Sequence, residues 1–406
     1  MTSTGAGDLR GPRRRPRLRP GGEGAAVHLV LAGGTANLAV GTLFAWSLVA
    51  QDAAADVGMS RDAGAAVFAG AIVVFTVVVL GTGAAERRFG PRRLLYVAAA
   101  TGGSGLLVAA SADGRIALWS GIAVLFGAAN GLAYGVATGL AARVPAAHRG
   151  TATGLVVAAY AAGPVVLGLV APPVLRGAGW RPSLIGLGLI VAGLLALAAR
   201  LAPVDGGVRR SRHQRVDRVP SRPVVLLWLV FAGGTAPGLM LFAHAVPLAA
   251  DRQLSAQSAG LAVSALAAGN LAGRLLAGWW SDRIGRVPAL AAALGAAAVS
   301  IGGLVASAAS VVVPAAFLGT GLAYGAVSAL VPAATADRVG SGAFAIAYGR
   351  IFTGWGVAGL LAPIAGGHFL RLAADRPGLL GLAATPLVPA ALALVLLTRR
   401  GPRTGA

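Results

Sequence analysis

Ala32-Gly33-Gly34-Thr35-Ala36 leads to Leu43-Phe44-Ala45-Trp46, and Ala232-Gly233-Gly234-Thr235-Ala236 leads to Leu241-Phe242-Ala243-His244. A third pair, Gly131-Leu132-Ala133-Tyr134-Gly135 and Gly321-Leu322-Ala323-Tyr324-Gly325, repeats without change. The copies are offset by 200, 198 and 190 residues. In a chain with 61 Gly, one such match follows from composition alone. Three matches at nearly constant offset describe two related halves.

Each copy lies inside a long apolar run. A bilayer span needs about 20 mostly apolar residues. Such runs occupy 26–50, 63–85, 94–112, 115–142, 151–174 and 180–201, and then 223–249, 256–280, 288–308, 311–333, 343–369 and 377–398. The expected fold is an all-α integral membrane protein, with twelve transmembrane helices in two pseudo-symmetric six-helix bundles. The expected parts are an Arg-rich disordered tail (1–25), an N-terminal bundle (26–201), a linker (202–222), a C-terminal bundle (223–398) and a short tail (399–406). Parallel repeats of this kind rock about a site at the membrane midplane. Gly163-Pro164 and Pro363 are expected kinks within spans 5 and 11.

Charge tests the span count. The formal net charge is +21, from 34 basic and 13 acidic residues, and every basic residue is Arg. In a soluble protein this imbalance would suggest nucleic acid. Charged residues are only 12% of the chain, however, and the mean hydropathy is +0.77. With twelve spans, 25 Arg fall on the side holding both termini, 7 on the opposite side, and two, Arg274 and Arg350, within spans. Positive residues favour cytoplasmic loops. Both termini are therefore expected inside the cell, in the cytoplasmic (inner) membrane. The partners expected are the lipid bilayer and a small substrate, not nucleic acid, with a monomer as the functional unit.

Composition also removes several chemistries. The chain has no Cys, hence no disulfide, thiol catalysis or Cys-ligated zinc, and no Lys for a Schiff base. The first apolar run follows a 25-residue Arg/Gly/Pro stretch and is too long for a cleavable signal segment. No nucleophile–base pair or metal cluster lies within the spans, so neither an enzyme nor a cofactor site is expected.

All 13 acids fall in tails, loops or span ends. The spans hold Arg274, Arg350 and His244 with no counter-charge. Ionisable groups inside a span are costly and mark function, and a buried cation needs an anion. A carboxylate gripped bidentately by a guanidinium would serve. Asn270, Arg274 and Gly278 recur every fourth residue and share a helix face. Alternatively, Arg274 lies near enough to its span end to snorkel. His244 is either a pore residue or a packed histidine, and Trp46, Tyr134, Tyr324 and Trp355 either line a cavity or pack. Export of cationic drugs by proton exchange requires an embedded acid, which is lacking. Efflux of neutral drug-like compounds therefore ranks second, and a non-transporting sensor third.

The loop after span 8, Gly278-Trp-Trp-Ser-Asp282-Arg283-Ile-Gly285-Arg286, resembles the GxxxDRxGR loop of the major facilitator superfamily. Its Asp282 can accept from Arg283 or Arg286 or face a helix N-terminus. The corresponding stretch after span 2 runs from Gly83 through Glu86, Arg87 and Gly90 to Arg92. Here Arg87 stands where the acid belongs and Glu86 comes one residue early, so this latch is expected to be weaker. More narrowly, GTLFAWS (41–47), RVPAAHRGTATGL (143–155) and Asn270-x-x-x-Arg274-x-x-x-Gly278 resemble the oxalate/formate antiporters and related monocarboxylate porters. That resemblance implies a carboxylate at Arg274, moved with a proton or against a counter-anion. Oxalate carriers of the family bear a cation in mid-span 11, where this chain has Trp355. The departure points away from a dicarboxylate and towards a monocarboxylate or another anion.

Overall fold

Two glycines seven residues beyond Gly83 and Gly278 set the first turns. Gly90 (φ 77°, ψ 160°) and Gly285 (φ 94°, ψ 161°) reverse the chain directly from one helix into the next. A side chain is strained at such angles. The matched geometry at matched positions is the repeat expressed in three dimensions.

The computed structural model describes residues 22–203, 219–251, 255–307, 309, 311–375 and 377–398. The N-terminal half contains α1 (Gly22–Gly41), α2 (Arg61–Phe89), α3 (Pro91–Ala110), α4 (Arg115–Ala142), α5 (Arg149–Ala178) and α6 (Trp180–Leu201). The C-terminal half contains α7 (Ser221–Asp251), α8 (Ala256–Ile284), α9 (Arg286–Ala306), α10 (312–339), α11 (341–375) and α12 (Leu387–Thr398). Helices α10 and α11 run on from each other except at Gly340, where φ is 73°. Among the described residues, eleven stretches are long and apolar enough to cross a membrane, and the one over Val312–Gly366 contains this break. The chain is thus a multi-pass membrane protein with twelve helices in two bundles. Residues 22–25 of the expected N-terminal tail belong instead to α1, while the rest of that tail, the C-terminal tail and most of the linker lie outside the described residues.

Lipid supplies no hydrophobic drive for helices to associate, so close backbone packing must do it. Gly41 fits against the Tyr160 carbonyl, where an added Cβ would lie 2.0 Å from the oxygen. Asn37 adds a bond from its amide to the Val156 carbonyl at 2.8 Å. These contacts seat α1 on α5.

Local deviations in two helices matter for the site. After Gly41, α1 tightens into a 3-10 stretch, Thr42–Leu48. Helix α7 breaks at His244 (φ −121°, ψ 16°). Both fall on the LFAW/LFAH copies, so the repeat diverges in shape where it diverges in sequence.

Candidate functional site: a ring-lined central cavity and its closed end

Between the bundles lies a cavity of about 520 Å³. Its deep residues are buried, with Phe75, Phe352, Tyr134 and Arg274 at 1%, 2%, 4% and 5% exposure, whereas Val165 and Phe242 near the mouth exceed 39%. At the Arg-rich end the bundles touch through Asp282 and Gly278, which closes that side of the cavity.

Arg274 is the cation at its floor. Nε donates to Asn270 Oδ1 at 2.9 Å, and Nη1 donates to the Val157 carbonyl of α5 at 2.8 Å. The four-residue spacing puts Asn270 within reach on one face of α8. The second bond crosses between bundles. The guanidinium also lies 5.8 Å from the Tyr324 ring centre. Among the described residues, Arg274 forms no ion pair with a carboxylate.

Of the residues expected here, Asn270, Arg274, Tyr134, Tyr324 and Trp355 line the cavity. Trp355 Nε1 donates to the Tyr324 hydroxyl at 3.0 Å, and the Tyr134 and Tyr348 hydroxyls meet across the bundles at 3.2 Å. The other three expectations are corrected. Arg350 is exposed, because at about 100° per residue it lies some 200° around α11 from Phe352. Trp46 points into its own bundle and donates to the Gly64 carbonyl at 3.1 Å. The 3-10 stretch advances about 120° per residue instead of 100°, which swings Trp46 off the cavity face. His244 adjoins the lining residue Ala243, but its Nε2 is held 2.7 Å from the Pro363 carbonyl.

Sequence reasoning missed Phe75, Tyr160 and Phe352. Tyr160 donates to Asn130 Oδ1 at 3.0 Å, Phe75 lies 5.5 Å from Tyr134, and Phe352 stacks on Trp355 at 5.1 Å. Tyr160 is the lone aromatic of α5, and Phe75 shares α2 with Phe68 and Phe89. Phe352 belongs to a stripe, Phe344, Tyr348, Phe352 and Trp355, whose helical spacing was the available signal.

The Arg-rich end is closed by polar contacts around Asp282. One carboxylate oxygen accepts from Gly150 N–H (2.8 Å) and Arg286 Nη1 (2.8 Å); the other accepts from Thr151 N–H and its hydroxyl (both 2.7 Å). The acid therefore caps the N-terminus of α5 in the opposite bundle. Arg286 continues to Asp337 (2.8 Å), which also pairs with Arg149 of α5. Arg283 takes no part, since its guanidinium lies 3.6 Å from the Trp279 ring centre and donates to the Trp279 carbonyl.

The first-half counterpart is built differently. Glu86 is buried and accepts from Arg143 Nη2 at 2.5 Å within its own bundle, while Arg87 is exposed. At that edge the bundles meet by backbone, and a Cβ on Gly83 would lie 2.7 Å from Ala345 main-chain atoms. Arg92 sits with Arg200 at the Tyr96 hydroxyl, away from this interface.

Asp282→Asn keeps the shape but removes the charge, and its NH2 cannot accept two of the four hydrogen bonds. Bonds to charged groups contribute about 1.5–3 kcal/mol each, so a net loss of about 2–3 kcal/mol is expected. The ratio of closed to open Arg-rich ends should fall by about 30- to 150-fold. Spin-label distances between single cysteines placed on α5 and α8 report this directly; an unchanged distance distribution would remove Asp282 from the latch.

Among the described residues, eleven membrane-length stretches, one of them broken at Gly340 into two helices, enclose a central cavity closed at one end, the architecture of a membrane carrier. The family model of the Major Facilitator Superfamily matches residues 30–248 and 226–406. The chain belongs to that superfamily of membrane transporters, not to the enzymes. It is 29% identical over 215 residues to human (Homo sapiens) monocarboxylate transporter 11, covering 50% of this chain and 45% of that protein. The chain thus spans less than half of that relative's length. It is 27% identical over 280 residues to the oxalate:formate antiporter of Oxalobacter formigenes, covering 67% of each. In fold it resembles the proton:xylose symporter XylE, with a TM-score of 0.73 at 16% identity over 94% of this chain and 97% of that one.

Proposed function

We propose that the protein carries a small organic anion, a carboxylate, across the cytoplasmic membrane by alternating access. In this reading it works as a monomer with both termini in the cytoplasm, and a proton or counter-anion accompanies the cargo. The observation that carries the reading is Arg274: a guanidinium 5% exposed at the cavity floor, without a carboxylate partner among the described residues. A buried cation is stabilised by an anion that reaches it, and a carboxylate matches its fork. Asn270 holds the guanidinium through Nε and the Val157 carbonyl holds one N–H of Nη1, which leaves Nη2 and the second Nη1 N–H for a ligand. The names of the two relatives above point to the same class of cargo.

The outward-widening cavity and the closed Arg-rich end supply one of the two states that alternation needs. Breaking the Asp282 contacts while the mouth closes would supply the other.

Proteoliposomes holding the purified protein should take up labelled lactate, pyruvate or acetate saturably, and unlabelled carboxylate should compete. Protection of cells against neutral dyes, with no carboxylate flux in vesicles, would overturn the reading in favour of drug efflux.

A further inference from the structure

The cavity walls are far more aromatic than the chain. Ten of the 22 lining residues are Phe, Tyr or Trp, against 6% of the whole sequence. The deepest of them form one cluster. Phe352 stacks on Trp355 (5.1 Å, 27°), Phe75 lies 5.2 Å from Phe352 and 5.7 Å from Trp355, and Tyr134 lies 5.2 Å from Phe352. Elsewhere the buried side chains are mostly Ala, Leu and Val, with few rings. Rings gathered only for packing have no reason to converge on this cavity.

The polar side of the cavity is small by comparison. Arg274 uses Nε and one N–H of Nη1 on protein acceptors, so Nη2 and the other Nη1 N–H remain for a ligand. The Tyr324 hydroxyl accepts from Trp355 and keeps its own O–H to donate. These donors match one carboxylate. A second carboxylate would lie among rings, desolvated and without a cation.

Volume points the same way. Water occupies about 30 Å³ of liquid, and formate or acetate is only a few times larger. A cavity of about 520 Å³ would leave such ions without contact to most of its walls.

Building on the carboxylate reading above, we propose that the cargo is a monocarboxylate with an aromatic body: its carboxylate is held by Arg274 and Tyr324, and its ring by Phe75, Phe352 and Trp355. Rings in offset or edge contact attract beyond what buried area alone provides. Trp355 serves both ends of the cargo, offering its face to the ring while its N–H orients Tyr324.

Calorimetry on the purified full-length protein in lipid nanodiscs tests this with four probes: phenylacetate, acetate, phenylmalonate and phenylacetamide. Phenylacetate is expected to bind about tenfold tighter than acetate, equal to about 1.4 kcal/mol. Phenylmalonate should be about tenfold weaker than phenylacetate, and phenylacetamide should not bind. Phe352→Leu and Trp355→Leu should each bring the phenylacetate-to-acetate ratio towards one; the comparison on the unmodified protein stands whether or not the variants fold. Equal affinity for phenylacetate and acetate would sink the ring assignment and leave the carboxylate reading intact. Equal affinity for phenylacetamide and phenylacetate would sink the carboxylate reading and leave the ring pocket intact. Tight phenylmalonate binding would overturn the limit of one carboxylate, and binding of none of the four would overturn both.

Discussion

Arg274→Gln is expected to lower saturable carboxylate uptake by about 100-fold. Gln is too short to reproduce the bond from Nη1 to the Val157 carbonyl, so that link is lost together with the charge and the fork. A hydrogen bond to a charged group contributes about 1.5–3 kcal/mol. Loss of one or two of these from a site this buried corresponds to about two decades in affinity. Arg274→Lys should fall between, since it restores the charge without bidentate geometry. The measurement is the initial rate in proteoliposomes at equal protein content, with thermal melting of each variant as a folding control. Wild-type flux through Arg274→Gln would remove this residue from the binding site.

Gly278→Ala is expected to have a comparable effect by a different route. Gly278 of α8 packs on α5 so closely that an added Cβ would lie 2.4 Å from the Gly150 carbonyl and 3.0 Å from the Gly154 Cα. Neither atom belongs to a flexible side chain, so the helices must separate. Over-packing of this kind costs about 1–3 kcal/mol. The cost falls only on the state in which the Arg-rich end is closed, so the equilibrium moves towards the opposite opening. Uptake should drop at least about tenfold, and Gly150→Ala should reproduce it from the facing helix. Because the natural chain contains no Cys, a single cysteine at Ser328 in the cavity can be labelled without further engineering. It should lose reactivity from the mouth side and gain it from the Arg-rich side. Unchanged labelling and flux would show that the two backbones do not need to meet.

The twelve spans were legible because length and hydropathy are local properties, and Gly90 and Gly285 were legible because a motif with fixed spacing brackets them. Arg274 and Asn270 were found by the same logic, an i, i+4 pair on a span with no acid. What could not be read was rotation about helix axes. Arg350 looked equivalent to Arg274 in composition, yet it faces outward because two residues along a helix reverse direction. Trp46 aligned with His244 across the repeat, but the 3-10 stretch turned it away. Glu86 looked like a displaced latch; its salt bridge with Arg143 joins positions 57 residues apart that no spacing rule connects. The rings of Phe75, Tyr160 and Phe352 come from three separate helices, and only the tertiary fold brings them to one wall.

The bond from Arg274 to the Val157 carbonyl has a thermodynamic consequence. One guanidinium both faces the cargo site and ties α8 to α5, so occupancy of the site and position of the bundles are not independent variables. A ligand that draws the guanidinium away from Val157 loosens the bundle contact, and one that holds it there tightens it. By reciprocity, whichever bundle arrangement favours that bond sets the affinity measured from its side of the membrane. Empty and loaded carriers should therefore reorient at different rates, and the ratio of those rates decides whether the protein exchanges anions or delivers them one way.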